Sequence, residues 1–463
     1  MSDLGRLGVW ELPGQNGNSD AIVKGHHLNL GPRFGFAYNA TPKLVIRSGY
    51  GIFYSQREQN RETTIISNTL LNFNTITSPP VISQTTVKPP MTFTGGPPLS
   101  VQTGLPADFA GYDANNPLAV GSNLLSSSIG DSKFPMLQQF NLSLQYEFVA
   151  GLMVEASYAG ARGLHWVQRV NIGMIPFAEA LAGKTTQADR PLNYTNGSPR
   201  EDFSIVNNWY HSFNLRIERR FSQGLTFLTN YTISKNVDSG GSGNSQYTQQ
   251  GDTAGIDSYN LKLERGISPL DIPQKLVVSA LYELPFGSGK RFLARGGVVN
   301  QILGGWKANG ILVLRSGFPE DLRYPVNPPT FTSLNRPDRV LNQPMLVANP
   351  GFDQYFNPKA FQAPPLVPDY RGNLIQGYGN AGRAILRGPG SRNLDFSLFK
   401  EFATSEKTKL QFRAEAFNLS NTPTFTLPIA TSAALQWGNK AFGKLTGSQT
   451  VGRQVQFGLK FLF

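Results

Sequence analysis

The sequence contains no cysteine. That excludes a disulfide framework, a thiolate zinc site and a cysteine nucleophile. Long apolar runs are missing as well: none approaches the roughly 18 residues that a transmembrane helix requires. Charge is sparse, at 16% of residues against a usual share of about 25%. Low charge has not made the chain oily, since mean hydropathy is −0.25. Histidine is scarcer still, with His26, His27, His165 and His211 making up the whole complement. No HExxH or other metal-ligand spacing connects them, and none is grouped with an acid and a serine. Polar or interfacial roles are therefore expected of them, with no catalysis, cofactor or metal.

The opening MSDLGRLGVWELPGQNGNSD is polar and glycine-rich and lacks the basic, then apolar, then small-residue order of an export signal. Basic residues outnumber acidic ones, 42 to 30, for a net charge of +12. They are scattered rather than run together, so no nucleic-acid partner is expected. Wet side chains and anionic lipid headgroups account for the balance more simply.

What is abundant is glycine (48), proline (32) and phenylalanine (31), and the pattern in which they occur is informative. The chain ends VGRQVQFGLKFLF. Val455, Phe457, Leu459, Phe461 and Phe463 alternate with Gln454, Gln456, Gly458 and Lys460; Leu462 is the exception. Side chains alternate faces along a strand, so this one is aromatic on one side and wettable on the other. An exposed aromatic last strand invites aggregation in water, whereas a membrane barrel carries such a face against lipid.

The alternation recurs upstream. In FNLSLQYEF, Phe140, Leu142, Leu144, Tyr146 and Phe148 oppose Asn141, Ser143, Gln145 and Glu147. Phe213, Leu215 and Ile217 oppose Asn214, Arg216 and Glu218. Leu410, Phe412, Ala414 and Ala416 oppose Lys409, Gln411, Arg413 and Glu415. A face of lysine, arginine and glutamate cannot sit in a dry core and must meet water. The pattern predicts an all-β, antiparallel, up-and-down outer-membrane barrel. Val455, Phe457, Leu459, Phe461 and Phe463 are expected to face lipid. Arg47, Arg216, Glu218, Arg413 and Glu415 are candidates for the lumen.

Eleven strands are predicted, near 30–39, 43–54, 136–149, 152–168, 204–221, 225–236, 273–285, 304–317, 391–402, 408–420 and 450–463. Residues 1–28 form a poorly patterned segment ahead of a barrel portion covering 29–463. Long links over 55–135, 169–203, 237–272, 318–390 and 421–449 alternate with short ones, as periplasmic turns and solvated outer loops do. Aromatic rings gather towards strand ends (Tyr50, Tyr54, Trp166, Trp209, Tyr210, Tyr282, Trp306), where interfacial girdles form. Single-chain bacterial barrels have even strand numbers, so eleven reads as half of a twenty-two-stranded plugged transporter. The odd count and the missing export signal both lead to the expectation of a longer parent protein.

Two local motifs dissolve on inspection. GSGK at 287–290 has Leu284 and Arg291 where a phosphate loop needs Gly and Ser or Thr, so Gly287 and Gly289 are read as turn formers. Asp252 and Asp257 lie in GGSGNSQYTQQGDTAGID without the ligand spacing of a calcium loop.

Several longer phrases resemble a known family. They are NLGPRFGFAYNATPKLVIRSGYGIFYSQ, FPMLQQFNLSLQYEF, VEASYAGARGLHW, NYTISKNVD, ERGISPLDIPQKLVVSALYELPFGSGKRF, GGWKANGILVLRSGFP, YFNPKAFQAPP and GRAILRGPGSRNLDFSLFKEFATSEKTKLQFRAEAFNLSNTPTF. From about residue 29 onward the chain is similar to the Oar-like TonB-dependent receptors of Gram-negative outer membranes. The resemblance implies a plugged twenty-two-stranded barrel, energised through a TonB box, behind a small carboxypeptidase-regulatory-like sandwich. Sandwich, TonB box, plug and first half of the barrel have no counterpart here, so transport by this polypeptide alone is not expected. The partners implied are outer-membrane lipid, barrel-assembly machinery through the C-terminal strand, and a small-molecule, peptide or glycan substrate, with TonB reached only through the absent region. The rival readings are a free-standing smaller channel or adhesin and a soluble β-rich carbohydrate-binding domain.

Overall fold

The computed structural model describes residues 28–55, 127–129, 133–191, 200–240, 255–287, 289–293, 297–332, 334–405, 408–425, 433–445, 447–448 and 450–463. The N-terminal segment through His27, Asp252 and most of the first long link lie outside them.

Eleven strands hydrogen-bond in chain order into one antiparallel sheet. They are β1 (Arg33–Thr41), β2 (Leu44–Tyr54), β3 (Met136–Val149), β4 (Leu152–Asn171), β5 (Arg200–Ser222), β6 (Leu225–Asp238), β7 (Gln274–Glu283), β8 (Trp306–Arg315), β9 (Ser391–Ala403), β10 (Lys409–Phe417) and β11 (Gln454–Leu462). Two short pieces add to it, Ser127–Ile129 beside the start of β5 and Gly266–Ile267 beside the end of β6. The sheet is not closed: β1 and β11 have no further strand neighbour among the described residues.

All eleven predicted strands are present, and the differences lie at their ends. β4 and β5 run longer than 152–168 and 204–221, continuing their pairing to Asn171 and Arg200. A register shift between Gly163 and Trp166, with His165 at φ 60°, breaks the alternation there and hides the continuation in the sequence. β8 starts later than residue 304 because the preceding link ends in a short helix, Val298–Leu303. At 20 and 23 residues, β4 and β5 exceed the 9–11 that cross a bilayer, so this hairpin stands well clear of the other strands at one end.

The two-residue turns explain the tight end of the sheet. Gln223 and Gly224 both adopt positive φ, 53° and 81°, the pattern that matches the twist of flanking strands. The four short links therefore gather at one end, together with the 284–305 link, and the other long links lie at the opposite end.

Directly opposed residues in an antiparallel pair share a face, so the register can be followed across the sheet. Phe457 opposes Ala414, which opposes Leu398, then Ala308 and Tyr282. Arg413 opposes Gly458 on one side and Phe399 on the other, then Lys307 and Glu283. One face is mainly aliphatic and aromatic, with Lys400 and His211 among its exceptions, and the other is largely polar.

The dry core lies elsewhere. Among the described residues, all buried apolar side chains but Val170 and Val206 belong to the long links. Leu322, Phe356, Phe361, Leu386, Leu435 and Phe442 form one cluster, with Phe442 edge-on to Phe361 at 6.2 Å between ring centroids. The long links were expected to be solvated loops. Instead, four of them pack into a cap, because backbone bonds tie them together before their side chains need water. Ile175 N donates to Thr330 O at 3.1 Å, Arg323 N to Leu435 O at 2.9 Å, and Tyr355 N to Gly443 O at 2.7 Å.

Candidate functional site

The wall supplies the first layer of polar chemistry. Following the register from β2 to β10 places Arg47, Arg216, Glu218, Arg413 and Glu415 on one face. Val455, Phe457, Leu459 and Phe461 lie on the other, opposed by Ala416, Ala414, Phe412 and Leu410. Phe463 follows the end of β11 and is fully exposed.

The five polar residues do not converge on one point. Arg216 pairs with Glu218 at 2.6 Å. Arg413 lies 3.9 Å from Glu415 and donates from Nε to Gln411 Oε1 at 2.6 Å, while Gln456 Nε2 donates to Glu415 Oε2 at 2.6 Å. Arg47 donates to Gln145 on β3, eight strand spacings from Arg413, or about 38 Å along the sheet at ~4.8 Å per spacing. Each is partly exposed and solvated, so these pairs organise a wet surface and add little stability.

The aromatic candidates divide between the faces. Tyr50, Trp209, Tyr282 and Trp306 share the apolar face, but Tyr210 opposes Asn236 and Ala161 on the polar face and drops out of any girdle. His211 lies midway along the lengthened β5, on the apolar face, with Nδ1 2.6 Å from Tyr158 Oη.

The second layer was not read from the sequence. Where the long links leave the wall, four arginines and five acids gather under the cap. Arg336 Nη2 meets Glu264 Oε2 at 2.8 Å, with both side chains 1% exposed. Glu264 Oε1 also accepts from Ile256 N at 2.9 Å. Arg383 pairs with Asp238 at the end of β6 and donates from Nε to Glu264 O at 2.8 Å. Arg387 bonds Asp271 at 2.6 Å, and Asp271 Oδ1 accepts from Asn236 N of β6 at 2.7 Å. Asp321 Oδ1 accepts from Ala384 N at 2.7 Å, with Arg323 close enough to interact electrostatically.

Burial dominates the electrostatics of this layer. It pushes the Glu320 carboxyl up to about 8, with the neighbouring Asp321 charge adding to the effect. Asp321 is raised too, by burial first, against the pull of Arg336. Arg383 is lowered to about 10 by burial. At about 8, the Glu320 carboxyl keeps its proton at neutral pH and adds no charge to this layer. The sequence did hold a signal, because Asp238, Glu264 and Asp271 are isolated acids just beyond the alternating strand segments, in NYTISKNVD and ERGISPLDIP.

The remaining candidates have local explanations. Asp257 closes a turn by accepting from Tyr259 N at 2.9 Å, and no metal-sized cluster of ligands occurs among the described residues. Gly287 and Gly289 take φ of 121° and 73° in the GSGK turn.

The model of the family described as "Outer membrane beta barrel domain" matches residues 3–456. The chain belongs to that family. As a member of the outer-membrane β-barrel family it resides in the outer membrane, and no helix among its described residues is long and apolar enough to cross one. No curated protein matches it in sequence. Solved structures similar to it include the outer-membrane transporter YddB from Escherichia coli, at 11% identity and TM-score 0.42, over 94% of this chain and 40% of that one. The siderophore receptor PiuA from Acinetobacter baumannii is 10% identical at TM-score 0.39, over 93% and 35%. The FrpB iron transporter from Neisseria meningitidis is 12% identical at TM-score 0.39, over 94% and 39%. The chain thus spans about two fifths or less of the length of each of these.

Proposed function

We propose that this chain forms wall and outer cap of an outer-membrane transporter of the TonB-dependent class. Residues 29–463 act as one barrel portion. The apolar face, with Val455, Phe457, Leu459, Phe461 and Phe463, meets lipid hydrocarbon. The polar face, with Arg47, Arg216, Glu218, Arg413 and Glu415, lines a wet lumen, and the long links form the external mouth that captures a small-molecule, peptide or glycan substrate.

In hydrocarbon each unpaired backbone group costs several kcal/mol, so the free edges of β1 and β11 call for further strands, such as a twenty-two-stranded plugged wall has. Under this reading TonB acts through a plug region outside this polypeptide. The chain alone does not drive transport, and it performs no catalysis. Barrel-assembly machinery engages β11.

The observation that carries the reading is the register that separates the five polar candidates from the apolar residues of β11 across the sheet. With no native cysteine, single-cysteine variants test it directly. In intact outer membranes, Arg413→Cys should react with a water-soluble maleimide, whereas Phe457→Cys should react only after detergent is added. The opposite order of reactivity refutes the assignment of faces.

A further inference from the structure

The link between β7 and β8 carries a helix, α1 (Val298–Leu303), that the wall does not cover. Its Val298, Val299, Ile302 and Leu303 are exposed, three of them by 58% or more, while Asn300 and Gln301 occupy the remaining arc. At 100° per residue these four apolar side chains span about 140° of the helix surface. In water such a face on so short a helix has nothing to stabilise it.

The helix is nevertheless held firmly, and held to one side of the wall. Trp306 Nε1 donates to Ile302 O at 2.9 Å. Lys400 Nζ donates to Gln301 O and to Ile302 O at 3.3 Å. Trp306 and Lys400 oppose each other across β8 and β9, on the same face as Leu398, Ala414 and Phe457. Phe412 extends the surface, edge-on to Trp306 at 6.1 Å. Gly287 and Gly304 let the two ends of the link touch: a Cβ on Gly287 would lie 2.9 Å from Gly304 Cα. α1 is therefore tied to the apolar face of the wall with its own apolar arc exposed, at the end where the short links gather. Exposed Arg291 lies in the same link.

We propose that α1 is an in-plane membrane helix, seated among the phospholipids of the periplasmic leaflet. Val298, Val299, Ile302 and Leu303 insert between acyl chains, and Arg291 meets anionic headgroups. The Lys400 ammonium, anchored on the helix carbonyls, and the Trp306 indole fix the depth at which the wall crosses the interface, as snorkelling cations and interfacial tryptophans do. The occupant is lipid because the two residues that hold the helix, Trp306 and Lys400, lie on the wall face assigned to hydrocarbon. The proposal thus rests on that assignment but goes beyond it, since α1 is neither strand nor turn.

The test places a nitroxide on Val299→Cys, Ile302→Cys, Gln301→Cys or Phe457→Cys of the full chain in purified outer membranes. Collision with oxygen is compared with collision with a water-soluble nickel chelate. Labels at 299 and 302 should favour oxygen and report a depth of ~5–10 Å, with 301 shifted towards water and 457 in hydrocarbon. Nickel-dominated collisions at 299 and 302, with 457 still in hydrocarbon, overturn the interfacial helix and leave the wall reading intact. Protection from both reagents at 299 and 302 also overturns it, because protein then covers the face. Nickel-dominated collisions at 457 defeat the wall reading and the helix with it.

Discussion

Raising the pH should loosen the cap while leaving the wall intact, and Glu320 is the residue through which it does so. Glu320 is buried beside Asp321, and its carboxyl lies at about 8 rather than 4.5. A group that binds its proton more tightly in the folded state favours folding at low pH and disfavours it as pH rises through the window between the two values. Here that window runs from 4.5 to about 8. At about 1.36 kcal/mol per unit, the span of about 3.5 units is worth about 5 kcal/mol at most. Cap opening should therefore become roughly tenfold easier per pH unit across the window and level off above it. Backbone hydrogen exchange, corrected for the intrinsic rise in chemical rate with pH, measures this at the amides of Ala384 and Arg323, both bonded within the cap. Glu320→Gln should reduce the slope, leaving the part due to Asp321, which is raised in the same direction. Protection that is constant or increases from pH 5 to 8, or a Glu320→Gln profile parallel to the native one, would refute the reasoning.

Three further outcomes are expected. Arg336→Met strands Glu264 in a dry environment and should cost the cap about 3–5 kcal/mol, read as protease sensitivity of residues 318–390 with the yield of outer-membrane-inserted protein unchanged. Phe457→Arg should lower barrel stability in urea by about 2–4 kcal/mol, with Gln456→Arg near neutral, because the two positions lie on opposite faces of β11. Gly379→Ala should release the 335–337 segment from the cap, since a Cβ there runs into the carbonyl of Arg336, and loss of exchange protection at the Ala381 amide, which bonds Pro337 O at 3.1 Å, reports it.

The wall was legible because a strand facing two environments writes its orientation into every second residue. Even the exceptions fit: Lys400 falls on the apolar face of β9, and the structure gives it helix carbonyls to bind. Strand ends were less legible where a local irregularity reset the alternation, as at His165. The cap could not be read this way. Its backbone has little regular structure, so Leu322, Phe356 and Leu435 share no period, and their burial follows from bonds between links far apart in sequence. Its acids and arginines looked like ordinary solvated loop charges, because a partner such as Glu264 for Arg336 is more than seventy positions away.

The location of the dry core divides the molecule by tolerance to change. Buried apolar side chains are almost absent from the wall, so one charge can replace another on its polar face without repacking anything. In the cap, the same swap disturbs a close-packed interior. Substitutions should therefore be tolerated singly along the polar face of the wall and only as coordinated sets in the cap.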